Sequence, residues 1–334
     1  IVSPWEFCIA LAETAVRNGA EVKLSAKVES IEKKGETFLL HTAAGEVEAK
    51  YVVNAAGVEA DKVHAMVGGH TFKTLPNRGE YFLLDKAQGE LVNKVVFQCP
   101  NPDGKGVLVA PTVHGNLIVG PNAEGVDRAE DVNNTAAGLA FVRKMSVKSV
   151  PAVNFRDSIR NFAGVRANSD QADFIIEESP AAKGFINLGG IKSPGLSSAP
   201  AIGVEAVELL QSCGLALHKK ETFIDTRERT VFRHLSPEEK AKIVAENPLY
   251  GRIICRCETV TEGEIVEAIH RPIVPRSIDG IKRRCNAGMG RCQGGFCGPR
   301  VHEILSRELN LPLDQILMDE EGSYILTQPT KEGK

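Results

Sequence analysis

Four of the eight cysteines stand near the C-terminus in a pattern able to hold metal: Cys255-Arg-Cys257, then 34 residues, then Cys292-Gln-Gly-Gly-Phe-Cys297. The second pair lies in a glycine-rich run from Gly288 to Gly298. Glycine admits positive φ and close backbone approach, so N–H groups can reach sulfur. Three chemistries compete for such a set. A disulfide across Cys-x-Cys closes a tight, strained ring, and the rest of the chain reads as cytosolic. A four-cysteine zinc site has the right ligand count, but zinc favours two to four residues between paired ligands. A [2Fe–2S] cluster takes four thiolates around two irons and tolerates uneven spacing, so the spacing favours it, with zinc second.

The charges nearby point the same way. Between Arg276 and Arg300 stand Arg276, Lys282, Arg283, Arg284, Arg291 and Arg300 against one acid, Asp279. Cations beside a negative cluster stabilise its reduced form and raise its potential. The same charges also read as a solvated basic face or a docking patch for an acidic electron carrier.

The run Cys255-Arg-Cys-Glu-Thr-Val-Thr-Glu-Gly-Glu-Ile265, with Lys282-Arg-Arg-Cys-Asn-Ala-Gly-Met-Gly-Arg-Cys-Gln-Gly-Gly-Phe-Cys297, resembles the bacterioferritin-associated-ferredoxin type of [2Fe–2S] domain. It is similar to the version fused to the C-terminus of anaerobic flavin-dependent glycerol-3-phosphate dehydrogenases. The resemblance covers Gly251 onward and implies Cys255, Cys257, Cys292 and Cys297 as cluster ligands. Cys285 is read as non-ligating.

Two glycine constellations could hold a second group. Lys50-Tyr-Val-Val-Asn-Ala-Ala-Gly57 reads as a β-branched strand running into small residues that let a flat ligand approach. Phe185-Ile-Asn-Leu-Gly-Gly190 reads as a buried strand, Ile191 to Ala199 as a loop, and Pro200 as the start of a helix reaching Cys213-Gly214. Strand, glycine turn and helix N-terminus together suit an anion or carbonyl, though an ordinary βα turn has the same look.

These pieces resemble the FAD-binding halves of the D-amino-acid-oxidase-like flavoenzymes. Arg78-Gly-Glu-Tyr-Phe-Leu-Leu-Asp85, Thr112-Val-His-Gly-Asn-Leu-Ile-Val-Gly120, Arg160-Asn-Phe-Ala-Gly-Val-Arg166 and Gly190-Ile-Lys-Ser-Pro-Gly-Leu-Ser197 are similar to the glycerol-3-phosphate and L-2-hydroxyglutarate dehydrogenase branch. The implied fold is α/β (α+β): a partial Rossmann-like FAD-binding domain, an inserted antiparallel-sheet substrate domain and a small helical [2Fe–2S] domain. The implied boundaries are 1–66 for the first part of the FAD domain, 67–164 for the substrate domain and 165–217 for the return to the FAD domain. A linker at 218–250 and the cluster domain at 251–334 complete the chain. Val28, Ala55, Gly57, Gly189, Gly190, Ile191, Lys192, Gly195, Leu196 and Ser197 would line the FAD. The family's Gly-x-Gly-x-x-Gly strand–turn–helix, which cradles the pyrophosphate, does not occur here. The chain therefore reads as a piece of a longer protein, with that motif on the parent chain or on a separate one, and as inactive by itself.

The resemblance implies that a hydride passes from substrate to flavin, with electrons continuing to the cluster and an external acceptor or partner redox subunit. Glycerol 3-phosphate is the first substrate, with L-2-hydroxyglutarate or a related 2-hydroxy acid or amine as the alternative. A guanidinium holds phosphate or carboxylate bidentately, and Arg166 is the first candidate, with Lys192 second. His114 is the candidate base, since its ordinary pKa lies near neutrality, but a histidine in a Val-His-Gly-Asn turn is often structural. Arg78 and Tyr81 are further candidates, although Arg78-Gly-Glu-Tyr81 also reads as a strand-initiating turn. A different class, a non-catalytic iron–sulfur electron-transfer or delivery protein, would have no use for a presented arginine.

The elements around these residues follow from local pattern. Ser3 and Glu6 form a capping box with Pro4 at the first helical position. Trp5, Cys8, Ile9, Ala12 and Val16 make an apolar stripe expected in the core, and Asn18-Gly19 ends the helix. Val22, Leu24, Ala26 and Val28 alternate as a strand, followed by strands at Thr37 to His41 and Val47 to Ala55. Tyr81-Phe-Leu-Leu84, Gly106-Val-Leu-Val-Ala110 and Asn116-Leu-Ile-Val-Gly120 read as short strands of the inserted domain. Ser236-Pro-Glu-Glu239 starts a helix in the linker. The 334 residues suffice for two or three domains, and a net charge of −3 gives no field for nucleic acid. No run approaches the length that spans a membrane, so membrane association would go through a partner, and the expected compartment is the cytoplasm.

Overall fold

The computed structural model describes residues 1–99, 106–328 and 330–331. They form two units, one of Ile1–Val22 with Thr222–Lys334 and one of Lys23–Glu221. The chain begins with α1 (Pro4–Arg17). The 23–221 unit opens with β1 (Val28–Lys34), β2 (Thr37–Thr42), β3 (Gly45–Ala49), β4 (Val52–Asn54), α2 (Ala60–Ala65) and β5 (Thr74–Leu84). It continues with β6 (Leu108–Pro111), β7 (Leu117–Gly120), β8 (Glu124–Gly125), α3 (Ala136–Ser149), β9 (Ser158–Ser169), β10 (Ile175–Glu178), β11 (Phe185–Gly189) and α4 (Gly195–Ser212). The remaining elements are α5 (Pro237–Glu246), β12 (Ile253–Cys255), β13 (Val260–Thr261), α6 (Glu262–Ile269), α7 (Ile278–Cys285) and α8 (Gly298–Leu309).

In the 23–221 unit β1, β2 and β3 make a small antiparallel sheet, and β4 lies parallel to β11 with β10 on the other side of β11. The largest sheet joins β6, β7, β5 and β8, with β9 running antiparallel along β5 from Thr74↔Ser169 to Leu84↔Ser158. Side chains alternate across β5, so Arg78, Glu80, Phe82 and Leu84 share the buried face while Asn77, Gly79, Tyr81 and Leu83 share the other. Phe82 and Leu84 join Val109, Leu117, Val119 and Val142 of α3 in one core. Full burial of each such side chain contributes about 1.5–3 kcal/mol.

In the other unit α6, α7 and α8 surround a core of Ile265, Ile269, Ile281, Val301, Ile304, Leu305 and Ile316. Thr261 and Glu264 cap α6 reciprocally, as Ser236 and Glu239 cap α5. Helix α1 falls in this unit by its contacts.

Four local expectations change. Trp5 is 42 % exposed and Cys8 is exposed. The buried side chain of α1 is Glu13, neutralised by Arg227 at 2.5 Å and Arg271 at 3.7 Å. Of the alternating run Val22 to Val28, only Val28 enters a strand: Ser25 takes φ 54°, and no described strand lies beside 22–26 to complete a ladder. The run Val47 to Ala55 splits into β3 and β4. Helix α4 starts at Gly195, five residues before Pro200, which sits inside it and forgoes one N–H bond.

Candidate functional site

Strand β12 ends on Cys255, the following turn carries Cys257, and β13 returns at Val260. Helix α7 is stopped by Asn286 in the left-handed region, and the chain then wraps back to Cys297, the N-cap of α8. These two turns bring the Sγ atoms of Cys257 and Cys292 to 3.7 Å. Cys255 and Cys297 make the second, inner pair: the Cys297 thiol, with the N–H groups of Gly288 and Glu258, draws Cys255 down to about 6, and Cys255 in turn pushes Cys297 up. In the outer pair the Phe296 N–H lowers Cys292, while burial raises Cys257. The inner pair, Cys255 and Cys297, is 1 % and 2 % exposed. Cys257 is exposed and Cys292 half-buried.

Gly290 is required here, because a Cβ added to it would collide with the Cβ of Cys257. Cys285 is set apart: its thiol donates to the Ile281 carbonyl at 3.4 Å, and burial pushes it up to about 12. Among the described residues no three Cys, His, Asp or Glu side chains converge closely enough to hold one metal ion. Two thiol pairs, with backbone N–H groups on their sulfurs, fit a two-iron centre better than a single zinc. Much of the basic segment serves the fold: Lys282 pairs with Asp279, Arg283 with Asp319, and Arg284 donates to the carbonyls of Gly280 and Ile273.

The parallel pairing Val52↔Phe185, Val53↔Ile186, Asn54↔Asn187 puts the C-terminal ends of β4 and β11 side by side. Ala55 to Gly57 and Gly189 to Gly190 therefore continue from one sheet edge. The Asn54 side chain ties them, donating to Asn187 Oδ1 at 3.0 Å and to the Ala60 carbonyl at 2.8 Å. Past Gly190 the chain turns through Ile191 and Lys192, whose Nζ donates to the Ala172 carbonyl at 3.3 Å, and enters α4 at Gly195. Leu196 and Ser197 are exposed at that helix start. Val28 stands apart in β1, against a core that includes Val52 and Phe185, the first residues of the parallel pair and not its last.

On the large sheet the candidates separate. Residues paired directly across β5 and β9 share a face, which places Asn77 with Arg166, Gly79 with Gly164 and Tyr81 with Phe162 on the side away from α3. The Arg166 guanidinium donates to Asn77 Oδ1 at 2.5 Å and to the Asn122 carbonyl at 3.1 Å, and pairs with no carboxylate among the described residues. It lies across Gly79, where any Cβ would collide with it. Tyr81 stacks on Phe162 at 5.0 Å between centroids. Arg78 is on the opposite, buried face and is consumed by Asp131 at 2.7 Å, Glu124 at 3.0 Å and Glu80 at 3.6 Å. His114 occupies the β6–β7 turn beyond Leu117, which pairs with Leu84. From Asn77 to Leu84 is seven residue steps, roughly 23 Å of strand. The structure thus puts Arg166 and Tyr81 on one face of the sheet, four residue steps apart along β5, with Arg78 on the other face and His114 toward the end of the strand farther from Arg166.

Residues 1–209 match the family model "FAD dependent oxidoreductase", and residues 253–307 match "BFD-like [2Fe-2S] binding domain". The chain belongs to the FAD-dependent oxidoreductase family. It is 52 % identical over 332 residues to a glycerol 3-phosphate dehydrogenase of Caloramator mitchellensis, covering 99 % of this chain and 69 % of that protein. It is 23 % identical to one subunit of the anaerobic glycerol-3-phosphate dehydrogenase of Escherichia coli, over 92 % of this chain and 62 % of that one. Among solved structures, an FAD-bound L-alpha-glycerophosphate oxidase of Mycoplasma pneumoniae superposes with a TM-score of 0.60 at 35 % identity, over 64 % of this chain and 56 % of that chain. The chain thus spans between about half and two thirds of the length of these relatives.

As a member of this oxidoreductase family the chain takes FAD and, through its C-terminal domain, a [2Fe–2S] cluster. The four thiols fit that cluster by their pairing and their N–H donors. Sequence reasoning missed Asn77 and Asn122, the residues that hold Arg166. The one signal for them was Gly79, a glycine inside a strand, which marks close approach by another group.

Proposed function

We propose that the protein is a dehydrogenase that oxidises glycerol 3-phosphate on the open face of β5 and β9 and passes the electrons to an external acceptor. FAD along the C-terminal edge of β4 and β11 would supply the hydride acceptor, and the cluster on Cys255, Cys257, Cys292 and Cys297 a one-electron outlet. The observation that carries the substrate class is Arg166: a half-buried guanidinium fixed by two neutral oxygens and left without a carboxylate. A cation drawn out of water without a counter-ion is costly unless an anion arrives, so the face is built to receive one.

The chain's residues divide the work. Arg166 binds the phosphate, Asn77 and Asn122 fix its plane, Gly79 gives the guanidinium room to lie across the strand, and Gly164 opposite leaves open space. Tyr81 and Phe162 wall one side and exclude water. The relatives named for glycerol 3-phosphate or glycerophosphate support the phosphate over a carboxylate. A non-catalytic delivery protein would leave this arginine without a purpose. A reducing, cytoplasmic compartment is part of the proposal, because the four thiols must stay reduced to take a cluster. No helix among the described residues is long and apolar enough to cross a membrane, and membrane association through a partner protein is compatible with this.

The test compares kcat/KM for glycerol 3-phosphate, glycerol and L-2-hydroxyglutarate in the full-length enzyme loaded with both cofactors. Glycerol 3-phosphate should lead and glycerol should fall far behind. A lead for 2-hydroxyglutarate would turn the assignment to a carboxylate, and equal rates with glycerol would remove the anion clamp.

A further inference from the structure

We propose that the outer rim of the thiol site, formed by Arg256, Cys257, Arg291 and Phe296, is the docking surface for an acidic electron-carrier protein of the ferredoxin class. The proposal rests on the reading of the protein as a dehydrogenase with an external acceptor and gives that acceptor a chemistry. Phe296 is 86 % exposed, more than any other large apolar side chain described. Its loop is held by the Gly295 N–H to the Cys292 carbonyl at 3.0 Å and the Gly298 N–H to the Gly294 carbonyl at 2.7 Å, so the ring stands beside the outer thiol pair. An aromatic left this exposed among the described residues suits the apolar centre of an interface.

Arg256 and Arg291 are exposed, and Arg256 forms no ion pair among the described residues. The nearest carboxylate in sequence, Glu258, is buried and held by Arg233 at 2.9 Å, and Arg300 is matched by Glu303 at 3.0 Å. A carrier whose redox centre is ringed by Asp and Glu would be steered to this rim, with Phe296 fixing the docked pose. The inner thiols are buried, so the outer pair is the edge at which an electron can leave over a short distance. The balance is simple: oxidation of one secondary alcohol to a ketone releases two electrons and two protons. Two oxidised one-electron carriers take one electron each at the rim, and the protons go to solvent.

The test uses the full-length, cofactor-loaded protein reduced chemically with dithionite. Chemical reduction bypasses the substrate, so a wrong substrate assignment leaves this experiment standing. Stopped-flow rates are measured to an oxidised acidic [2Fe–2S] ferredoxin and, as control, to the small dye dichlorophenolindophenol. The ferredoxin rate should fall steeply with salt. Arg256→Glu with Arg291→Glu should lower it by roughly 10–100-fold at low salt while the dye rate holds. Phe296→Ala should slow the ferredoxin several-fold with the salt slope unchanged, and it decides the matter if the arginine variant loses iron. Ferredoxin reduction that is insensitive to salt and to Phe296→Ala would overturn the proposal. So would sedimentation showing the rim covered by a second copy of the chain.

Discussion

Around the thiols, four sulfurs come from two short segments, 255–257 and 292–297, each shaped by its own turn residues. On the large sheet, by contrast, Arg166 is held by Asn77 and Asn122, which are 89 and 44 positions away. The first site is positioned by local backbone geometry, the second by strand register. A turn can be altered without moving the rest of a domain, but a one-residue slip of β9 against β5 would send Arg166 to the buried face. Arg78 and Arg166 make the point within one sheet. Arg78 pairs across the ladder with Val165, one position from Arg166, and its guanidinium is nonetheless enclosed by three carboxylates.

The largest effect should come from the thiols. Cys292→Ser should abolish the cluster and Cys285→Ser should keep it, read by iron and sulfide content and the visible spectrum. A full cluster in the Cys292 variant would break the local-turn account. Next is the face: in the full-length enzyme Arg166→Ala should cost about 2–5 kcal/mol in kcat/KM, and Arg166→Lys should remain impaired because an ammonium cannot bind bidentately. The sharper contrast is with Arg78→Met, which should lower the thermal midpoint by stranding Glu80 while leaving the KM of any enzyme that still folds nearly unchanged. Equal KM effects from both arginines would erase the distinction between the two faces.

The smallest effect concerns pH. His64 is fully buried against Ser179, Phe72 and Phe185, and burial lowers its pKa from 6.5. The folded state then binds its proton less readily than the unfolded chain, so this stability is complete above about 6.5 and lost as pH falls below it. Denaturant midpoints measured from pH 7.5 to 5 should decline, and His64→Gln should flatten that slope.

The convergence of the two cysteine segments was legible because Cys-x-Cys and a glycine loop are statements about adjacent residues. The parallel β4–β11 edge was legible in part, since both strands end in small residues, while Val28, grouped with it by resemblance, lies in the β1–β2–β3 sheet. His114 as base and Arg166 as anion clamp were each read from a short motif. Only the register of β5 with β7 and β9 reveals that they stand at opposite ends of one strand. Trp5 misled for a related reason: helical periodicity locates a stripe, yet Glu13 is the residue that the ion pairs draw inward.

That ion pair has a consequence for synthesis on the ribosome. Glu13 leaves the exit tunnel well ahead of its partner Arg227, which follows 214 positions later. At translation rates of about 5–20 residues per second, the α1 carboxylate waits roughly 10–40 seconds for its guanidinium. Residues 23–221 are made within that interval, and the Glu13–Arg227 pair can close only after residue 227 has emerged.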